Sequence, residues 1–228
     1  LDEPRYDIRL TETMQRAIEQ SRSEKLFFIL HCYGSHFSYH QRYPREAAYF
    51  QPDPDVAIRK QHREELRNGY DNSIRYTDYF LTETISYLRT LDDTATALLY
   101  CADHGEDLLD TKEGRFLHSS PTTTYYQLHV ASLAWFSPKY KELYTDKVAA
   151  TKDNENAPAT TYSVFHTMAD MASIEGRFVK AESSLVNASF DHTAPRRYLN
   201  DHNEAVPYRE TGLKEEDITL LEKFGVKL

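Results

Sequence analysis

Two kinds of apolar pattern alternate along the chain: short continuous runs, and longer stretches with an apolar residue at every third or fourth position. Residues 26–30 and 97–101 are continuous apolar runs, the pattern typical of strands that are covered on both faces and pair in parallel. Residues 130–136 predict a third strand, which ends at Ser137 and Pro138.

Helical spacing of apolar residues predicts a short helix over residues 9–21, a long amphipathic helix over residues 59–91, and a third over residues 160–174. Residues 41–55 hold three prolines and show no period, so they predict a long loop. Alternating helix and strand over this length predicts an α/β layered fold.

Length and charge limit the classes of protein that fit. The chain has 228 residues with 27 basic and 36 acidic side chains, and it lacks the clustered cations that binding a nucleic-acid backbone requires. No stretch approaches the roughly 20 apolar residues of a membrane helix. Because the chain starts at Leu1, we expect a soluble piece of a longer protein, with its domain over residues 1–190 and an extension of that domain over 191–228.

Two cysteines, Cys32 and Cys101, do not form a disulfide framework, and neither belongs to a CxxC pair. Both lie at or in an apolar run, which favours small buried thiols over a bridge between them. Their separation along the chain leaves pairing open.

Candidate metal chemistry gathers where the two apolar runs end. His31 and His36 follow the first run, Asp103 and His104 follow the second, and His118 comes a short loop later. Ligands bind at the carboxyl ends of strands in open α/β sheets, and zinc takes neutral imidazole nitrogen and carboxylate oxygen. We therefore predict metal-assisted chemistry on a phosphate ester at this place.

Several separate motifs together resemble a known family. They are His31, Gly34, Ser35 and His36, then Arg42, Tyr43 and Pro44, then Tyr70, Asp71, Asn72, Ser73, Asp78 and Tyr79, then Asp103, His104, Gly105 and Glu106, and finally Leu117 and His118. In order and spacing they resemble the bacterial phosphoethanolamine transferases of the sulfatase and alkaline phosphatase superfamily. The resemblance runs over residues 6–185 and includes a further block at 162–167.

The resemblance implies a fold and an activity. The fold would be a three-layer sandwich with a mostly parallel sheet and helices on both faces, of which this chain is the C-terminal part. The activity would be zinc-dependent transfer of phosphoethanolamine from phosphatidylethanolamine to lipid A or another envelope glycan. Family members face the periplasm from the bacterial inner membrane, so the membrane would be reached through a segment that the present chain does not include.

The resemblance also implies roles for individual residues. Asp103 and His104 would be zinc ligands, His36 and His118 would contact the transferred phosphoryl group or a second zinc, and His31 would support them. The family's nucleophilic Thr and acidic zinc ligand belong to a segment before the first matching motif. We therefore expect the fragment alone to be inactive.

Two sequence features limit how directly the family's site can be transferred. Thr11 and Thr13 lie in a predicted surface helix, so neither is assigned as the nucleophile. Phe37 stands where the family usually has Gly-Pro, which affects the loop after His36. The alternatives are phosphoglycerol transfer or sulfate or phosphate ester hydrolysis on the same fold, a non-catalytic envelope binding module, and an α/β domain whose histidines are incidental.

Overall fold

The structure is a computed structural model that describes residues 6–118, 123–200, 202–224 and 226. The chain divides into two compact units. The first takes the chain up to Leu91 together with Leu108–Leu117, and the second takes Asp92–Asp107 together with the residues from His118 onward. The predicted boundary between residues 190 and 191 stays a prediction.

Helices and strands in the described residues have the following bounds. The helices are α1 (Ile8–Gln20), α2 (Arg63–Arg89), α3 (Tyr125–Leu128), α4 (Pro138–Leu143), α5 (Thr145–Asp153), α6 (Ser163–Met171) and α7 (Glu215–Lys223). The strands are β1 (Ala97–Cys101), β2 (Asp107–Leu108), β3 (Phe116–Leu117), β4 (Ser132–Phe136), β5 (Arg197–Leu199) and β6 (Ala205–Pro207). The three predicted helices are confirmed as α1, α2 and α6, and two of the three predicted strands as β1 and β4.

Helices α1 and α2 pack together in the first unit. The hydroxyls of Thr11 and Thr84 lie 2.7 Å apart and both residues are buried, while Met14 is buried on the same side of α1. The buried face of α2 recurs every three or four residues: Leu66, Gly69, Asn72, Ser73, Thr77, Phe80, Thr84 and Leu88. Ile74 is exposed, so this face is more polar than the sequence pattern predicts.

A buried polar network explains that polarity. Asn72 accepts hydrogen bonds from the backbone N–H groups of Tyr49 and Phe50, each at 2.8 Å, and its amide donates to Asp53 at 3.1 Å. The Tyr43 hydroxyl donates to the same Asp53 carboxylate at 2.7 Å. These bonds satisfy the backbone of the predicted loop against α2, as burial of polar groups requires.

The predicted buried strand over residues 26–30 is wrong. This segment has no strand assignment, and Leu26, Phe27 and Ile29 are exposed, Ile29 to 81%. A strand needs a hydrogen-bonded partner, and none of the strand pairs in the described residues includes this segment. An apolar run indicates that a segment tends to be buried. It does not show which neighbouring strand the segment pairs with.

The core of the second unit lies behind the pair of β1 and β4. These strands are antiparallel, with Ala97 opposite Phe136 and Cys101 opposite Ser132. Phe136 belongs to a buried cluster that is completed by Tyr140, Met171 and Val186. The prediction of a mostly parallel sheet is therefore not confirmed, because β5 and β6 are antiparallel as well and the described sheets have two strands each. The three-layer arrangement is not confirmed either.

The turn from β4 into α4 follows the sequence closely. Ser137 caps α4 by accepting a hydrogen bond from the Tyr140 N–H at 3.1 Å, and Pro138 occupies the first helical position, where no backbone donor is needed.

No helix among the described residues is both long and apolar enough to cross a bilayer.

Both cysteines are free thiols and partly buried. Burial raises the pKa of the Cys32 thiol to about 12, with a further contribution from the Asp7 carboxylate. Burial also raises the pKa of Cys101, and the Asp103 carboxylate adds to this. Both side chains therefore stay protonated and unreactive near neutral pH.

Candidate metal centre

The turn after β1 carries Asp103, His104, Gly105 and Glu106 and rests on α3. The Gly105 N–H donates to the Gln127 carbonyl at 2.9 Å. A Cβ atom on residue 105 would lie 2.0 Å from the Tyr126 carbonyl oxygen, so this contact leaves room only for glycine. The structure explains this glycine by the close approach of two backbone segments.

Among the residues that the structure describes, His104, Glu106 and His118 form a group that could hold a metal ion. One potential ligand atom from each lies within 4.8 Å of the others. The two imidazole rings face each other with centroids 3.7 Å apart, and Glu106 is buried beside them. Two imidazoles and a carboxylate are a donor set that suits zinc. The residues present therefore fit the metal that the resemblance implies.

Hydrogen bonds orient the imidazoles for ligand binding. His104 Nδ1 lies 3.0 Å from the Gly105 carbonyl oxygen, and His36 Nδ1 lies 2.6 Å from the Phe37 carbonyl oxygen. Because a carbonyl oxygen only accepts, both rings carry their proton on Nδ1. His118 Nδ1 lies 2.9 Å from Glu106 Oε1 and donates to that carboxylate in the same way. In each ring the lone pair of Nε2 is left for a metal or a proton.

Asp103 lies at the edge of this group rather than in it. Its Oδ1 accepts from the His104 backbone N–H at 3.0 Å, and its Oδ2 lies 3.6 Å from His104 Nε2. Two ligands of one tetrahedral zinc are about 3.3 Å apart. The Asp103 side chain is 90% exposed, so it is open to a ligand. The predicted pairing of Asp103 with His104 on one zinc is compatible with this geometry and stays a prediction.

Glu106 is the residue that sequence reasoning missed. It was recognised as part of the motif but received no role, because its part depends on how the turn folds. The available signal was a carboxylate two positions after His104, in a turn that a glycine allows to pack closely.

His31 and His36 lie in the first unit and both are exposed. Asp7 organises the loop between them by accepting hydrogen bonds from the backbone N–H groups of Tyr33 at 3.0 Å and Gly34 at 2.8 Å. Gly34 has a φ of +54°, a conformation that favours glycine. Their convergence with the residues of the second unit stays a prediction.

Neither threonine of α1 is placed for chemistry. Thr11 is buried against Thr84, and the Thr13 hydroxyl donates to the Arg9 carbonyl at 2.9 Å within the helix. Thr11 is thus buried rather than on a helix surface as predicted, and the expectation that neither threonine is the nucleophile stays a prediction.

Comparison with known proteins then identifies the family. The sequence profile of the Sulfatase family matches residues 3–174, about three-quarters of the chain. The chain belongs to the Sulfatase family. Phosphoethanolamine transferases are among the curated relatives of this Sulfatase-family chain, as its motifs indicated.

Two curated relatives illustrate the likeness. The chain is 30% identical over 202 residues to the Kdo(2)-lipid A phosphoethanolamine 7''-transferase of Escherichia coli (strain K12), covering 88% of this chain and 32% of that protein. It is 29% identical over 187 residues to the phosphoethanolamine transferase EptA of Salmonella typhimurium, covering 79% of this chain and 34% of that protein. The chain thus spans about a third of the length of these curated relatives.

Solved structures share the fold. The C-terminal periplasmic domain of EptC from Escherichia coli, solved in complex with Zn, matches with a TM-score of 0.79 at 23% identity, over 95% of this chain and 60% of that one. The corresponding domain of EptC from Campylobacter jejuni matches with a TM-score of 0.73 at 27% identity, over 82% of this chain and 59% of that one. The fold of the Sulfatase-family chain is therefore that of these domains.

Proposed function

We propose that this chain is the C-terminal part of the catalytic domain of a zinc-dependent phosphoethanolamine transferase. It would act at the periplasmic face of a bacterial inner membrane, with phosphatidylethanolamine as donor and lipid A or another envelope glycan as acceptor. The observation that carries the proposal is the gathering of His104 and Glu106, from the turn after β1, with His118, which follows β3. The phosphoethanolamine transferases among the relatives favour transfer over ester hydrolysis and over a non-catalytic module. The complete domain would form the three-layer, mostly parallel sandwich.

The metal would be held by His104 and Glu106, with Asp103 and His118 completing the donor set around one or two ions. When bound, zinc lowers the pKa of a hydroxyl and neutralises charge on a phosphoryl oxygen. The carbonyl of Gly105 fixes the His104 ring so that Nε2 points away from its own backbone. Glu106 does the same for His118 through its Nδ1 proton.

Transfer would proceed in two half-reactions through a covalent enzyme intermediate. A hydroxyl from the preceding part of the domain forms a bond to the donor phosphorus, and the bond from phosphorus to the diacylglycerol oxygen breaks. Nε2 of His36, or of His118 where that ring is not bound to metal, accepts the proton of the attacking hydroxyl and passes it to the diacylglycerol oxygen as that oxygen leaves. In the second half-reaction an acceptor oxygen attacks the same phosphorus, and the enzyme hydroxyl is released with its proton restored through the same imidazole.

The test uses the intact protein with zinc, phosphatidylethanolamine and lipid A, and follows modified lipid A by mass spectrometry. We expect His104→Ala to lower the rate at least about 100-fold, because it removes the central metal ligand. His192→Ala is the matched control, since His192 is an exposed histidine of the same unit and contacts Phe190 instead. Undiminished transfer by His104→Ala would overturn the ligand assignment. Product formed only from phosphatidylglycerol would overturn the donor.

A further inference from the structure

A buried carboxylate follows the turn of the candidate metal centre in sequence. Asp107 follows Glu106 in sequence and has an exposed fraction of 0%. Its Oδ1 accepts a hydrogen bond from the Thr124 hydroxyl at 2.8 Å, and its Oδ2 accepts one from the Gln127 side-chain amide at 2.6 Å. Both donors are buried too. Leaving any of these buried polar groups without its partner would cost its desolvation, so the contact holds its partners firmly.

The same two segments are joined at a second point. The Gly105 N–H donates to the Gln127 carbonyl, and the close approach of Gly105 to the Tyr126 carbonyl leaves no gap between the segments. Gly105 and Asp107 therefore anchor the turn on either side of Glu106. The backbone positions of His104 and Glu106 are set by α3 rather than by β1 alone.

Helix α3 depends in turn on the end of the chain. It has only four residues, which is too short to be stable without tertiary contacts. The buried Asp217 of α7 accepts a hydrogen bond from the Tyr125 N–H at 2.8 Å, which satisfies a donor at the start of α3. The ring of Phe224 stacks on that of Tyr125 with centroids 5.6 Å apart. The support of the turn thus extends to the C-terminal helix.

From this geometry we propose that Asp107 is a positioning residue for the metal centre, acting through Thr124 and Gln127 on the turn that carries His104 and Glu106. The proposal rests on the metal site put forward under the proposed function. Asp107 is not assigned as a ligand, because each of its carboxylate oxygens accepts a hydrogen bond from α3 or its N-cap. Residues that do not bind the metal themselves can hold its ligands in position, and the loss of such a residue lowers metal affinity about 10–100-fold.

The first test compares zinc affinity of the intact protein and its Asp107→Ala variant by competition with a chromophoric chelator. We expect at least a 10-fold loss for Asp107→Ala. The matched control is Asp170→Asn, which removes a partly buried carboxylate of the same unit that pairs with Lys147 at 2.7 Å. It should lower the melting temperature and leave zinc affinity within about threefold of wild type.

A rescue variant separates positioning from general damage to the fold. Asp107→Asn combined with Gln127→Glu exchanges donor and acceptor across the 2.6 Å contact, keeps the net charge, and leaves an oxygen on residue 107 to accept from Thr124. We expect the double variant to restore zinc affinity to within about threefold of wild type. The visible spectrum of its Co²⁺-substituted form should also match that of wild type. If Asp107→Ala fails to melt cooperatively, this double variant decides: folded with wild-type affinity supports the proposal, and folded with weakened affinity overturns it.

Equal zinc affinity of Asp107→Ala and wild type would overturn the positioning role, as would an equal loss in Asp170→Asn. The proposed function is judged separately by lipid A modification. Tight zinc binding without transfer would refute that function and leave the role of Asp107 in place. An intact wild-type protein that binds no zinc would refute both.

Discussion

Replacing Gly105 by alanine should damage both the stability of the second unit and its metal centre. The new Cβ would lie 2.0 Å from the Tyr126 carbonyl oxygen and 3.1 Å from its carbon, both of which belong to the backbone. Because ordinary contact starts near 3.4 Å, the turn and α3 must separate by more than about 1 Å. Such a shift breaks the 2.9 Å bond from the Gly105 N–H to Gln127.

The cost follows from two contributions. Overpacking that moves backbone costs about 1–3 kcal/mol, and the lost buried hydrogen bond adds about 1 kcal/mol. We therefore expect Gly105→Ala to lower the free energy of unfolding by about 2–4 kcal/mol, measured by urea denaturation, and to weaken zinc binding at the same time. This loss is a substantial fraction of the free energy of unfolding of an ordinary domain.

Gly176→Ala provides the control in the same unit, since nothing lies within 4 Å of a Cβ built there and its φ is not positive. It should change the free energy of unfolding by no more than about 0.5 kcal/mol. If Gly105→Ala proves as stable as Gly176→Ala and binds zinc equally well, the close packing of the turn on α3 is refuted.

Two further predictions concern buried polar contacts. Asn72→Ala should lower the free energy of unfolding by about 2–4 kcal/mol, because two backbone N–H groups lose their acceptor and Asp53 loses one of its donors; an unchanged urea midpoint would contradict this. Lys147→Met should cost about 2 kcal/mol near pH 7, because Asp170 loses its partner at 2.7 Å. Burial opposes ionisation of Asp170, but hydrogen bonds from Lys147 and Asn187 outweigh it and lower its pKa, so the contribution is present above about pH 4 and lost as pH falls through the lowered pKa. The gap between wild type and Lys147→Met should narrow in melts below about pH 4, and a constant gap would refute the assignment.

The elements that the sequence predicted well are those with a clear apolar period or with residue types that mark where a helix or strand begins or ends. The long helical period over residues 59–91 became α2, and Ser137 with Pro138 marks both the end of β4 and the start of α4. The direction of strand pairing was not readable in the same way. The segment between β1 and β4 contains the metal-site turn and α3 rather than a long crossover helix, which permits the antiparallel pair that forms.

The sequence was sufficient to identify the types of residue that form the candidate site. His104 and His118 were singled out by the donor atoms they supply and by their place after an apolar run, and the fold brings them together with Glu106. Neither Glu106 nor Asp107 could be given a role from sequence, because each role depends on contacts made only after the turn folds onto α3. Asp103 lies beside this group with its carboxylate exposed, and its role as a zinc ligand stays a prediction.

Anomalous diffraction at the zinc absorption edge, on crystals of the intact protein, tests the central claim most directly. We expect a zinc peak about 2.0–2.1 Å from His104 Nε2, with a carboxylate oxygen of Glu106 or Asp103 in the same coordination sphere. A protein that transfers phosphoethanolamine with no zinc bound at His104, or with zinc bound elsewhere, would contradict it.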